Sequence, residues 1–165
     1  MIEIKNIYKK FGKLEVLNDV NLTFKKGECI ALIGPNGCGK TTLIKSILGM
    51  VIPTQGDILF DQKSILKKYR YREQIGYMPQ IGRYPDYMKV GQIIEMIKKI
   101  RNSESDLDED LIKAFELEKI FDKQMRTLSG GTTQKVSAVL AFLFNPDVLI
   151  LDEPTAGLDP LASEI

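Results

Sequence analysis

The chain has 165 residues, of which 44% are hydrophobic and 27% are charged, and its formal net charge at pH 7 is +1. These proportions are typical of a globular domain with a buried core, and the near-zero charge gives no general attraction to nucleic acid or to an anionic membrane. Because the sequence has no histidine and two cysteines, it excludes a Ser-His-Asp triad, a Cys-His dyad and histidine-ligated metal sites. We therefore expect a soluble, cytosolic protein without a zinc centre.

The order of apolar patterns along the chain predicts an α/β fold. Alternating apolar residues predict strands from residue 2 to residue 24. The continuous apolar runs at 29–33 and 148–151 predict strands buried on both faces of a parallel sheet, with Cys29 in the core. Between these runs, residues 90–144 have mostly helical spacing, with apolar stripes at 90–100 and 107–117. The pattern indicates a helical segment inserted into an α/β core.

A glycine-rich loop follows the first apolar run. Residues 34–41, GPNGCGKT, match the phosphate-binding pattern GxxxxGK[ST]. Glycines let successive backbone N–H groups turn inward around a phosphate, and the positive end of the following helix points at the same place. Lys40 can reach the β- and γ-phosphates, and the Thr41 hydroxyl can bind Mg²⁺. The predicted loop consists of Gly34, Pro35, Asn36, Gly37, Cys38, Gly39, Lys40, Thr41 and Thr42.

Cys38 lies within this loop and permits two interpretations. A thiol at a helix N-terminus can have a lowered pKa and raised reactivity. The alternative, which we favour, is that the loop tolerates a small side chain at this position.

An acidic pair follows the second apolar run. Asp152 and Glu153 are adjacent, and neighbouring side chains on an extended chain point to opposite sides. One carboxylate can therefore hold Mg²⁺ while the next activates an attacking water, as phosphoryl transfer requires. We assign Asp152 to the metal and Glu153 to the general base.

A second small-residue turn, Ser129-Gly130-Gly131, precedes another apolar helix and is also suited to an anion. One nucleotide needs only one cradle. A second cradle is explained if it closes over the phosphate from another subunit.

Together these motifs resemble the ATP-binding subunit of an ABC transporter. LSGGTTQ at 128–134 resembles the family signature, GPNGCGKTT the Walker A loop, and VLILDEP the Walker B strand. Gln80, in IGYMPQ, is similar in position to the Q-loop glutamine, and residues 156–159 resemble the D-loop. Phe11 matches the aromatic residue that stacks on adenine. The motifs occur in the family's order and extend over the whole chain.

The resemblance implies a P-loop NTPase (RecA-like) core with an N-terminal antiparallel β subdomain and an inserted α-helical subdomain. The expected boundaries place the core and β subdomain at 1–79 and 145–165, and the helical subdomain at 80–144. The family carries a switch histidine one strand beyond the D-loop, which this chain lacks. We therefore expect a truncated domain whose core sheet is incomplete at the C-terminus and whose hydrolysis is weak or absent.

The resemblance also implies a function. Two copies would form a head-to-tail dimer with ATP and Mg²⁺ at the interface, and hydrolysis would drive a transmembrane permease from the inner face of the cell membrane. Catalysis would use Glu153 and Gln80, and Mg²⁺ would bind Thr41, Gln80 and Asp152. The nucleotide contacts beyond the phosphate loop would be Phe11, Ser129, Gly130, Gly131, Gln134 and Asp159. The wording of residues 134–160 resembles bacterial exporters, including copper-linked ones, so we expect an export substrate and no nucleic acid.

Two alternatives stay open at this point. One is an ABC-type ATPase that acts on nucleic acid or the ribosome, for which the basic, aromatic stretch at 67–72 is a candidate contact. The interval between Lys40 and Leu128 is too short for the coiled coils of chromosome-maintenance members. The other alternative is a nucleotide-binding module without turnover.

Overall fold

The protein is described by a computed structural model that covers residues 1–102 and 107–154. The chain forms two compact units, Met1–Arg72 and Glu73–Ile165. A short 3-10 helix, Arg70–Gln74, spans the boundary between them. The expected subdomain boundaries at 80 and 144 stay a prediction.

The first unit is built on an antiparallel sheet. Its strands are β1 (Ile2–Phe11), β2 (Leu14–Phe24), β3 (Gln55–Phe60) and β4 (Lys63–Ser64), in the order β2-β1-β3-β4. In the central strand, Ile2 and Ile4 are buried, and Ile4 lies opposite Leu22 on one side and Ile58 on the other. Burial of one face of a half-polar strand explains the alternating pattern of the sequence. The predicted N-terminal β subdomain is present.

A helix, α1 (Lys40–Ile47), follows the glycine loop. Its apolar side chains recur at helical spacing and are buried: Leu43, Ile44, Ile47 and the C-capping Leu48. The positive φ of Gly49, 64°, ends the helix, because glycine adopts this conformation without a Cβ clash.

Residues 29–33 do not form the predicted strand. All five are exposed, and Ile33 has a relative exposure of 93%. A strand exists only when neighbouring strands satisfy its backbone groups, and within 1–102 and 107–154 no strand pairs with this segment. The expectation that Cys29 belongs to the core is wrong for the same reason.

The second unit contains a parallel strand pair, β5 (Ile75–Met78) and β6 (Val148–Leu151). Met78 lies opposite Leu151, so both strands end at the same edge. β6 is half-buried to exposed rather than buried on both faces, since among the described residues it has a neighbour on one side only.

Helices make up most of the second unit: α2 (Val90–Arg101), α3 (Asp110–Ala114) and α4 (Gly130–Phe142), with 3-10 turns at Leu117–Ile120 and Met125–Thr127. Their core consists of Val90, Ile93, Ile94, Ile112, Leu117, Met125, Val136, Val139 and Leu143. The second predicted helix is shorter than expected, because Glu116 has a left-handed φ of 51° that ends it before Leu117. None of the helices described in this structure combines the length and apolar character needed to cross a bilayer.

Candidate functional site

The glycine loop has the backbone shape that a phosphate cradle requires. Gly37 and Gly39 have φ values of 82° and 102°, which favour glycine. Gly39 is also closely packed, because a Cβ there would lie 2.8 Å from the Val16 carbonyl oxygen and 3.0 Å from Leu17 Cδ2. Contact with β2 therefore holds the end of the loop against the sheet of the first unit.

Lys40 is the first residue of α1, and its ammonium folds back over the loop. Nζ donates to the carbonyl oxygens of Gly34, at 2.7 Å, and Pro35, at 3.1 Å. Thr41 and Thr42 follow in the first turn and are half-buried, and this turn contains no acidic residue. The positive end of the helix dipole therefore lies beside a lysine and is not neutralised by a local carboxylate.

The remaining loop residues are exposed. Pro35 and Asn36 are at the surface, and the Cys38 backbone N–H donates to the Pro35 carbonyl at 3.3 Å. The Cys38 thiol is free, and it lies 2.8 Å from where a Cβ on Gly34 would be. The thiol thus occupies the space that a side chain at Gly34 would need, and it would have to rotate to admit one.

Phe11 ends β1 in the same unit, and the residue is 49% exposed. Lys9 Nζ lies 4.9 Å from the ring centroid. The ring is therefore available for stacking, and its role against adenine stays a prediction.

The acidic pair follows β6. The Asp152 N–H donates to the Met78 carbonyl oxygen at 2.9 Å, which extends the parallel ladder by one residue. Asp152 is buried, with 4% exposure, whereas Glu153 is exposed. We expected the two side chains to differ in environment because neighbouring residues of an extended chain point to opposite sides. Glu153 is not extended, however, since its φ of 53° is left-handed and marks a sharp turn. Burial, and secondarily the Asp152 charge, raises the pKa of the neighbouring Tyr77.

Gln80 and Glu153 are brought together by the register of the two strands. β5 and β6 end opposite each other, so the residues that follow them share one edge. Gln80 Nε2 donates to Glu153 Oε2 at 2.6 Å. This charge-assisted hydrogen bond orients the carboxylate proposed as the base.

Ser129 is the N-cap of α4. Its hydroxyl accepts from the Thr132 N–H at 3.2 Å and lies 2.8 Å from the Thr132 hydroxyl oxygen. A Cβ on Gly130 would meet nothing within 4 Å. The signature turn is therefore an exposed helix N-terminus with open space in front of it.

Gln134, predicted as a nucleotide contact, has a buried side chain with 8% exposure, and its Nε2 donates to the Gln80 carbonyl oxygen at 2.8 Å. The sequence did not indicate the contact between Ser137 and Tyr84, whose hydroxyl oxygens lie 2.9 Å apart. The signal for Ser137 was a single polar residue within the apolar run at 136–144.

Asp159 and the rest of the D-loop lie outside the described residues. Within the described residues, no three His, Cys, Asp or Glu side chains cluster to hold a metal.

The family model described as ABC transporter matches residues 17–156. This chain belongs to the ABC transporter family. It is 40% identical to the zinc import ATP-binding protein ZnuC of Rickettsia conorii, covering 96% of this chain and 64% of that protein. It is 35% identical to the sulfate/thiosulfate import ATP-binding protein CysA of Pectobacterium atrosepticum, covering 96% and 50%. With the Nod factor export ATP-binding protein I of Burkholderia lata, the identity is 34% and the coverage 99% and 56%.

Solved ABC cassettes have the same fold. The ATP-binding subunit of an ABC transporter matches 99% of this chain and 70% of that chain, with a TM-score of 0.87 and 33% identity. A dimeric post-hydrolysis state of an ATP-binding cassette bound to ADP and Pi matches 99% and 78%, with a TM-score of 0.85 and 27% identity. These similarities confirm the predicted P-loop NTPase fold. This chain spans about half to two thirds of the length of the curated relatives named above.

Proposed function

We propose that this chain binds ATP with Mg²⁺ and hydrolyses it to drive a membrane transporter, as one subunit of a head-to-tail dimer. The observation that carries the proposal is the phosphate loop. Gly37 and Gly39 are left-handed, Lys40 folds back onto the carbonyls that precede them, and the following helix has no acidic residue in its first turn. This arrangement presents N–H groups and positive charge to a phosphate chain.

The residues predicted to bind Mg²⁺ are Thr41 in the first unit and Gln80 and Asp152 in the second. They would supply a hydroxyl, an amide oxygen and a carboxylate, and magnesium prefers such oxygen ligands together with substrate phosphates. When bound, the cation would neutralise charge that develops on the phosphate oxygens. Asp152 is 4% exposed, so we assign it the ligand role and leave proton transfer to the exposed Glu153.

Glu153 has the properties of a general base. It is exposed to a reacting water, and the Gln80 amide holds its carboxylate at 2.6 Å. Asp152 is buried whereas Glu153 is exposed, so we assign the two carboxylates different roles. In the proposed step, Glu153 accepts a proton from water as the water oxygen bonds to the γ-phosphorus of ATP. The bond between that phosphorus and the β–γ bridging oxygen breaks, which releases ADP and inorganic phosphate.

The open space in front of Gly130 supports a site shared between two chains. Ser129 and Gly130 are exposed at an N-terminus whose own chain already has a phosphate loop. A dimeric cassette is among the similar solved structures. We infer that the signature turn of one copy closes over the nucleotide held by the other.

A permease would dock on the segment 81–88, and the protein would then be peripheral on the inner face of the membrane. Ile81 and Tyr87 are 67% and 72% exposed, and Arg126 lies 4.7 Å from the Tyr87 ring centroid. Aromatic residues and arginine are enriched in protein interfaces. The curated relatives are named for import and for export, so an export substrate, including a copper-linked one, stays a prediction.

Part of the basic, aromatic stretch that was a candidate contact for nucleic acid is engaged within the protein. Within the stretch 67–72, the Tyr71 hydroxyl donates to the Ile47 carbonyl and Arg72 to the Gly49 carbonyl. These side chains stabilise the end of α1, which is a structural role.

The test of the proposed activity is Glu153→Gln in the complete protein. We expect ATP affinity to be retained and turnover to fall by about 10²- to 10⁴-fold, as general-base loss typically costs. Glu118→Gln is the matched control, because Glu118 is an exposed glutamate of the same unit. Wild-type turnover in Glu153→Gln would remove Glu153 from this role, and wild-type protein that binds ATP without turnover would establish a binding module instead.

A further inference from the structure

The segment at 80–84 lies against α4 and is attached to it at both ends. Gln134 Nε2 donates to the Gln80 carbonyl oxygen at 2.8 Å, and the Tyr84 and Ser137 hydroxyl oxygens lie 2.9 Å apart. Gln134 and Ser137 are three positions apart on the helix, so they lie on one face. The segment therefore follows this face of the signature helix.

Gly82, between the two attachments, shows how close the approach is. A Cβ on Gly82 would overlap the Ser137 hydroxyl oxygen, and it would lie 2.9 Å from Tyr84 Cε2. A side chain at Gly82 would therefore have to displace Ser137 or Tyr84, the two residues of the second attachment.

The direction of the second hydrogen bond follows from donor counting. Ser137 Oγ donates to the Thr133 carbonyl oxygen at 3.1 Å, and a serine hydroxyl has one proton. The Tyr84 hydroxyl is therefore the donor to Ser137. Burial raises the pKa of Tyr84, so the phenol keeps this proton near neutral pH. Both attachments are partly buried, and their partners on the helix, Gln134 and Ser137, are exposed by only 8% and 1%.

We propose that Gln134 is a positioning residue for catalysis rather than a nucleotide contact. Its amide fixes the main chain of Gln80, and the Gln80 side chain in turn holds the Glu153 carboxylate. The helix that carries Gln134 has Ser129 as its N-cap. The signature turn that would meet the partner's nucleotide is thus connected to Glu153, the proposed general base of its own chain, through α4 and two hydrogen bonds. This inference rests on the proposed ATPase function.

The test is Gln134→Met, which keeps the length of the side chain and removes the donor. Loss of one hydrogen bond that positions Gln80 should lower kcat about three- to tenfold while ATP affinity stays unchanged. Lys135→Met, the adjacent exposed position, is the control and should leave kcat at the wild-type value. If Gln134 contacted nucleotide instead, ATP affinity would fall, and that result would overturn the proposal.

A comparison with Gln80→Ala separates positioning from a general loss of structure. If Gln134 acts through Gln80, the double variant should be no slower than Gln80→Ala alone, whereas additive losses would contradict the proposal. Tyr84→Phe removes only the hydrogen bond to Ser137, and it replaces Gln134→Met as the test if that variant does not fold. A wild-type kcat in Tyr84→Phe would contradict a role of this hydrogen bond in positioning Gln80. A wild-type kcat in Gln134→Met together with a strong loss in Glu153→Gln would refute the positioning role alone and leave the ATPase proposal standing.

Discussion

Gly39 gives the sharpest stability prediction, because two separate costs meet at one residue. Its φ of 102° is unfavourable for an L-residue, and a Cβ there would lie 2.8 Å from a backbone oxygen that cannot move without shifting β2. The backbone conformation costs about 1–2 kcal/mol, offset in part by the lower entropy of the unfolded alanine chain. Overpacking adds about 1–3 kcal/mol. Gly39→Ala should therefore destabilise the protein by roughly 2–4 kcal/mol.

Two other glycines separate these costs. Gly37 has a φ of 82° but nothing within 4 Å of its Cβ position, so Gly37→Ala carries the backbone cost alone, about 1 kcal/mol. Gly130 has open space and no positive φ, so Gly130→Ala should leave stability unchanged or slightly raised.

Urea unfolding followed by far-ultraviolet circular dichroism measures all three variants. The expected order of destabilisation is Gly39→Ala, then Gly37→Ala, then Gly130→Ala. Equal stability of the Gly39 and Gly37 variants would refute the contact with β2, and a Gly37 variant as stable as the Gly130 variant would refute the strain argument.

Two further predictions concern the proposed nucleotide contacts. Phe11→Ala should weaken ATP binding about tenfold, because it removes base stacking. Leu14→Ala is the control, since Leu14 is exposed and lies opposite Phe11 at the same turn, and it should leave ATP binding unchanged. Equal effects of the two substitutions in a binding titration would contradict the stacking role. Mixing complete subunits that carry Lys40→Ala with others that carry Ser129→Glu should restore part of the ATPase activity, because both lesions then fall at one shared site; demonstrated heterodimers without recovery would contradict sharing.

The phosphate loop and the strand-edge pair could be predicted from the sequence because their chemistry is local. Glycine spacing and a following apolar helix are sufficient to predict the shape of the loop, and two acids after an apolar run are sufficient to place a carboxylate pair at a strand end. The metal and base roles of that pair stay predictions. The strand at 29–33 could not be judged in this way. Its apolar residues favour burial, but a strand forms only when it pairs with neighbouring strands, and which strands are neighbours depends on the whole sheet.

The contacts of Gln134 and Ser137 were also beyond the sequence. Both depend on which face of α4 the segment at 80–84 covers, and these residues are far apart in the chain. Similarly, Glu153 has a left-handed backbone conformation, which a pattern of alternating side chains does not predict.

The central claim, that the phosphate loop binds ATP, is tested most directly by calorimetric titration of Mg-ATP into wild type, Lys40→Ala and Lys45→Ala. Both lysines lie on α1, but Lys45 is in its last turn and is exposed, so it controls for charge and helix content. Loss of a charge-assisted contact should weaken binding to Lys40→Ala about ten- to a hundredfold, with Lys45→Ala unchanged. Equal affinities for the two variants and wild type would contradict the assignment of the phosphate loop.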